Sequence, residues 1–160
     1  MPTLSTTTKN TLLFLFLNFF GLALGGLMMG EGPGGDWYQN LNRAPWTPPA
    51  WVFGAAWFTL MACFAVFMAV AVDRVPKRQE LLVVYGVLWL TNLAWNPIFF
   101  NWQLPWWGLV DIVAMTLLVA YLAFAYGRYL GMRVLWAMPY LIWISTATSL
   151  NAYVCFNNSF

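Results

Sequence analysis

The chain has 160 residues, of which 62% are hydrophobic, 19% aromatic and only 8% charged, with a formal net charge of +2. Seven basic and five acidic side chains cannot cover a soluble surface, where about a quarter of residues are charged. A water-soluble enzyme, a disordered segment and a nucleic-acid-binding domain are therefore excluded, and the solvent for most side chains is lipid.

The charged residues divide the chain into apolar runs. Lys9 to Glu31 encloses 21 uncharged residues, Arg43 to Asp73 encloses 29, Glu80 to Asp111 encloses 30, and 27 come after Arg133. A membrane-spanning helix needs about 20. These four runs, together with the apolar stretch around Asp111, predict five transmembrane helices over 11–29, 49–72, 81–99, 106–128 and 134–156, forming an all-α integral membrane bundle as one domain over 1–160. The runs do not alternate, and they are too long for barrel strands of about 9–11 residues.

In the first span, Gly21-x3-Gly25 and Gly26-x3-Gly30 place small residues at four-residue spacing, which lets helices approach closely. Ala23-Leu24-Gly25 resembles a signal cleavage site, but the apolar run continues past it to Met29, so an uncleaved span is expected. The connection over 30–48 holds four glycines, three prolines, three charged residues and three large aromatics. It is longer than a simple helix–helix link needs. Its aromatics either lie at the headgroup level or fold back over the helix ends as a lid. In the second span, Ala65-x3-Ala69 repeats the small-residue spacing.

The third span carries Asn92, Trp95, Asn96 and Phe99 on one face. Two amides in lipid must face other helices or a cavity. Pro97 beside them frees a backbone carbonyl one turn earlier, near Leu93. In the fourth span, Trp107 and Asp111 stand at i, i+4. Asp111 is the only acid inside an apolar span, but it lies roughly 9 Å from the span's start. A structural pair of Arg43 with Asp111, tying the long connection to this helix, is the favoured role. The fifth span has Pro139 near its start and carries Tyr140, Trp143, Ala147 and Leu150 or Asn151 as a stripe. A wide ring and then a small residue one turn on suit a slot for a flat ligand, and they also suit close helix packing.

No histidine is present, and Cys63 and Cys155 sit in separate apolar runs without metal or redox spacing. No metal site is expected. Nor does any span hold the acid–base pair that an ordinary hydrolase or transferase needs.

Lys9, Arg74, Lys77, Arg78, Arg128 and Arg133 fall on the side of the N-terminus, and only Arg43 falls on the other. The positive-inside rule then predicts a cytoplasmic N-terminus and an external C-terminus, in a bacterial inner membrane.

The long connection and the spans after it carry a recognisable pattern. It reads Trp37-Tyr38-x-x-Leu41-x-Arg43-x-Pro45-Trp46-x-Pro48-Pro49-x-Trp51-Val52, then Trp57, then Asn92-x-Ala94-Trp95-x-Pro97-Ile98-Phe99-Phe100. Trp107-x-Leu109-Val110-Asp111 and Pro139-Tyr140-Leu141-x-Trp143-x3-Ala147-Thr148-x-Leu150-Asn151 complete it. In this order the blocks strongly resemble the translocator protein family, also called tryptophan-rich sensory proteins (TspO/MBR).

The resemblance implies a five-helix bundle with a pocket that opens toward the long first loop as a lid. It implies binding of porphyrins, with protoporphyrin IX as the ligand, no obligatory cofactor, and association as a homodimer in the bilayer. Ligand contacts carry over to Trp57, Asn92, Trp95, Trp107, Trp143, Ala147 and Leu150, and Trp46 and Tyr140 join them as ligand-binding candidates. Light-dependent breakdown of the porphyrin would involve two tryptophans, by motif position Trp57 and Trp143. The sterol-recognition pattern of eukaryotic relatives is incomplete here, because no basic residue comes after Tyr153. The expected function is binding of porphyrins and other flat hydrophobic ligands in a Trp-lined pocket, for sensing, sequestration or light-dependent degradation. The alternative is a carrier of porphyrin, lipid or sterol.

The charge distribution makes one direct prediction. A C-terminal alkaline phosphatase fusion should be active, and a C-terminal fluorescent protein that matures only in the cytoplasm should stay dark. The reverse pattern would overturn the orientation.

Overall fold

A computed structural model describes residues 5–160. Five long helices form a bundle: α1 (Thr6–Leu27), α3 (Ala50–Arg74), α4 (Arg78–Asn96), α5 (Pro105–Leu130) and α6 (Met138–Asn157). The short α2 (Asp36–Gln39) lies in the long connection, and no strand occurs among the described residues. Thr6–Gly34, Ala50–Arg74 and Arg78–Asn101 are each long and apolar enough to cross a membrane. So is the run Pro105–Asn157, which holds α5 and α6 on either side of a 3-10 turn.

A side-chain cap starts α1, and the other four long helices begin without one. α1 starts five residues before the expected boundary at Thr11, because the Ser5 side chain accepts the Thr8 amide at 3.2 Å. Its first turn is then held by Asp73, which accepts from Thr7 Oγ1 at 2.5 Å and Asn10 Nδ2 at 2.9 Å. The last helix starts later than expected. Gly131, at φ 58°, ends α5, and residues 131–137 form a 3-10 turn before Met138. Pro139 then sits in the first turn of α6, where its missing N–H costs nothing.

Pro97 acts as the sequence suggests. It ends the α-helical ladder of α4, and the chain continues as a π-helical turn over Pro97–Asn101, with Trp102 N–H donating to the Pro97 carbonyl at 2.8 Å. Gln103, at φ 55°, reverses the chain into α5.

α3 is the central helix. Ala65, Phe67, Met68, Ala69 and Ala71 have no exposed surface, so the Ala65-x3-Ala69 spacing serves packing inside the bundle. Phe64 stacks on Phe67 at 5.4 Å and meets Tyr140 edge-on at 5.0 Å. α1 packs against α3 and α4, and α5 against α4 and α6.

The glycines of α1 divide into two kinds. A Cβ on Gly21 would lie 2.6 Å from Trp89 Nε1, and one on Gly25 would lie 2.7 Å from Asn96 Nδ2. Both therefore admit α4 to close range, and Trp89 uses that range to donate to the Leu17 carbonyl at 2.9 Å. Gly26 has no such neighbour. Gly30, at φ +63°, lies beyond the helix end, where its backbone conformation favours glycine.

Gly21→Val should lower stability by about 1–3 kcal/mol through overpacking against Trp89. Gly26→Val should melt like the wild type. Thermal unfolding in detergent measures both, and equal midpoints for the two variants would refute the packing assignment.

Candidate functional site

One end of the bundle gathers the C-terminus of α1, the 30–48 connection, the start of α3, the Pro97 turn and the end of α6. Beneath this end lies a cavity of about 480 Å³, within the range of about 300–1,000 Å³ usual for small-molecule sites.

Two helical faces form its main walls. α4 contributes Asn92, Trp95 and Asn96, and the turn after it contributes Phe99, so all four members of the face read from spacing are present. α6 contributes Trp143, Ala147, Leu150 and Asn151 from its stripe. α3 adds Phe53, Gly54 and Trp57, α5 adds Ile112 and Met115, and α1 with its end adds Leu22, Gly26 and Met29. Trp57 and Trp143, on different helices, thus open onto one space.

The rings are held by one another and by amides. Trp95 stacks on Phe99 with centroids 4.9 Å apart and planes 14° from parallel. Its indole N–H donates to Asn151 Oδ1 at 3.2 Å, and Asn151 Nδ2 donates to the Pro105 carbonyl at 3.0 Å. One amide therefore joins α4, α5 and α6 and sets the Trp95 plane. Phe53 meets Trp143 edge-on at 5.4 Å. The Trp143 indole N–H is buried without a hydrogen-bond partner among the described residues. Asn92 donates to the Tyr140 hydroxyl at 2.7 Å.

The 30–48 connection roofs the cavity, and of its three large aromatics Tyr38 lines the space. Pro33, Tyr38, Gln39, Arg43, Thr47 and Pro48 line the space from above. Trp37 and Tyr38 meet Phe99 edge-on at 5.6 and 6.3 Å. The Arg43 guanidinium stands over the Tyr38 ring, 5.4 Å from its centroid. Burial raises the Tyr38 phenol above its ordinary value, and Arg43 partly offsets the rise. The phenol therefore stays protonated at neutral pH.

The roof is clasped to the end of α6. Asn42 N–H donates to Asn158 Oδ1 at 2.8 Å, and Asn158 Nδ2 donates back to the Asn42 carbonyl at 3.1 Å. This reciprocal pair mimics two rungs of a strand ladder. Trp46 adds a second attachment, with Nε1 donating to Ser149 Oγ at 3.2 Å and its ring edge-on to Tyr153 at 5.4 Å.

The structure corrects four expectations. Trp46 is 54% exposed and clamps the loop to the outside of α6 rather than lining the cavity. Trp107 is 65% exposed and also lies off the cavity. It precedes Ile112 by five residues, about 140° around the helix at 3.6 residues per turn. Tyr140 is 1% exposed and lies behind the cavity wall, where it holds Asn92 instead of facing a ligand. Arg43 and Asp111 form no ion pair; among the described residues Lys77 with Glu80, at 3.0 Å, is the only one. Arg43 is engaged by Tyr38, while Asp111 keeps one buried carboxylate oxygen without a partner among the described residues.

The sequence did not reveal Phe53, Gly26, Met29, Ile112 and Met115 as lining residues. They are apolar residues in apolar spans or, for Met29, in the turn just after α1, and nothing in their spacing separates a cavity face from a lipid face.

A model of the TspO/MBR family matches residues 13–156. The tryptophan-rich sensory protein of Cereibacter sphaeroides is 33% identical over 116 residues, covering 72% of this chain and 73% of that relative. The tryptophan-rich protein TspO of Chlorobaculum tepidum is 31% identical over 122 residues, covering 74% and 77%. The human translocator protein is 30% identical over 132 residues, covering 80% and 78%.

Asn158→Ala removes both side-chain bonds to the Asn42 backbone, next to the sole trypsin site of the roof, Arg43-Ala44. Limited trypsinolysis in detergent should cut after Arg43 several times faster in this variant than in the wild type. An unchanged rate would show that the clasp does not hold the roof closed.

Proposed function

The chain belongs to the TspO/MBR family of integral membrane proteins, and from that premise we propose that its roofed cavity binds a metal-free porphyrin, or another flat hydrophobic molecule of similar shape. The proposed use is sensing, sequestration or light-dependent degradation. The observation that carries this reading is the pairing of a tryptophan-walled space of about 480 Å³ with a cation at its mouth.

A porphyrin is a broad apolar plate with acidic edges. Trp57, Trp95 and Trp143 offer ring faces and edges to the plate, and offset aromatic contacts add about 0.5–1.5 kcal/mol each beyond burial. Arg43 and Gln39 at the mouth offer donors to a propionate, the geometry in which arginine is strongest. Asn92 and Asn96 supply polar groups deeper in the wall. Ala147 leaves width beside Trp143 for the plate's edge.

If the bound pigment is degraded in light, the excited porphyrin and oxygen carry the oxidation. The chain supplies confinement and an electron-rich indole from Trp57 or Trp143. The carrier reading, for porphyrin, lipid or sterol, is supported by the name translocator protein that the human, bovine, pig and sheep relatives carry. The proposal includes a homodimer in a bacterial inner membrane, with the roof and C-terminus outside and the basic end in the cytoplasm.

Protoporphyrin IX should quench tryptophan fluorescence saturably. Ala147→Phe should weaken that binding at least tenfold, about 1.4 kcal/mol; unchanged affinity would mean that the plate does not lie against α6. Trp143→Phe, alone or with Trp57→Phe, should keep binding within about tenfold but lose most bleaching under light and air. A wild-type complex with a stable spectrum under illumination would leave a binding protein without photochemistry.

A further inference from the structure

Behind Asn92 lies a second, much smaller compartment of about 20 Å³, lined among others by Asn18 of α1, Phe64 of α3, Tyr85 and Asn92 of α4 and Tyr140 of α6. About 10–15 Å³ of such volume is enough for one water, which also needs two to four polar partners.

The partners can be counted. The Tyr140 hydroxyl accepts from Asn92 Nδ2 at 2.7 Å, and its own O–H meets no acceptor among the described residues. Reversing the Asn92 amide would let Tyr140 donate to Oδ1 but would leave the Nδ2 protons over. Either way this pair carries a surplus donor. On the other side, the Tyr85 hydroxyl donates to Asn18 Oδ1 at 2.8 Å, and Asn18 Nδ2 donates to the Met61 carbonyl at 2.9 Å. The Tyr85 oxygen keeps a lone pair that accepts nothing among the described residues, so this pair carries a surplus acceptor.

Phe64 ties the two tyrosines together. Its ring stacks on Tyr85 at 6.3 Å and takes Tyr140 edge-on at 5.0 Å. A spare donor and a spare acceptor therefore border one space, and the two tyrosines that bring them are both less than a tenth exposed. A buried polar group left without a partner loses its hydration and gains nothing in return.

We propose that this compartment is a binding site for a single ordered water, accepting from the Tyr140–Asn92 pair and donating to the Tyr85–Asn18 pair. The water completes one hydrogen-bonded chain from Asn92, on the cavity wall, through Tyr140, the water, Tyr85 and Asn18 to the Met61 carbonyl of α3. It links the back of the large cavity to α1 and α3, whatever ligand that cavity takes.

The full-length protein, crystallised from lipid at a resolution that shows waters, tests the site. A single density peak within hydrogen-bonding distance of Tyr140 Oη and of Tyr85 Oη or Asn18 is expected in the wild type, and its loss in Tyr140→Phe. A dry compartment, or one filled by a rotated side chain, would overturn the proposal. A solution measurement covers the case in which Tyr140→Phe does not fold. The wild type should show a water-to-amide nuclear Overhauser cross-peak at the Asn92 side chain, and Tyr85→Phe should lose it. A cross-peak unchanged in Tyr85→Phe would arise from Tyr140 hydroxyl exchange and would also count against the bound water.

Discussion

Hydrocarbon offers no hydrogen bonds, so an amide placed inside the bilayer must find its partner within the protein. Three asparagines build the bundle on that constraint. Asn18 joins α1 to α3 and α4, through Met61 and Tyr85. Asn92 joins α4 to α6 through Tyr140. Asn151 joins α6 to α4 and α5 through Trp95 and Pro105. Each such bond is worth only about 1 kcal/mol in a membrane. Breaking one, however, leaves a polar group in an apolar interior, so together they select one arrangement of helices whose outer surfaces are nearly alike.

The same anchors explain why a cavity survives in a bundle that is otherwise closely packed. Small residues sit where the helices would otherwise fill the space: Gly26 on α1, Gly54 on α3 and Ala147 on α6. A Cβ on Gly26 or Gly54 would meet nothing within 4 Å. Where contact is needed, on α1 against α4, the glycines are instead covered by Trp89 and Asn96. The π turn after Pro97 re-aims the end of α4, with Phe99 under the roof and stacked on Trp95. Glycine thus serves two opposite ends in one helix, contact at positions 21 and 25 and open volume at 26.

The roof adds polarity at the mouth without closing the space by charge. Arg43 rests on Tyr38 rather than on a carboxylate, so its guanidinium donors are not used up by an acid. An ion pair with Asp111 would have occupied them. The clasp through Asn158 rests on neutral hydrogen bonds, which salt does not screen as it screens exposed ion pairs. Under the proposed reading, the arrangement grips a flat molecule by its faces deep in the cavity and by its acidic edge at the mouth.

Long apolar runs, one of them tolerating Asp111, determined by themselves that the chain crosses the membrane as helices, because the thickness of hydrocarbon is a property of lipid and not of the fold. Spacing also determined which residues share a face, since 3.6 residues per turn puts Asn92, Trp95, Asn96 and Phe99 on one side of the third span whatever surrounds it. Only the tertiary structure decided how each helix is rotated about its own axis. In water, polarity would reveal the outward face; in lipid, inward and outward faces are both apolar. That is why nothing in the fourth span itself showed that Trp107, expected at the ligand from the resemblance, lies off the cavity, and why Ile112 and Met115 were invisible beside it. The helix ends that depart from the charge pattern were decided locally, by the Ser5 cap at the start of α1 and by Gly131 and the 3-10 turn ahead of α6. The partner of Arg43 lay in the folded path of a loop, where Tyr38 is five residues away in sequence and Asp111, on another helix, was the wrong choice.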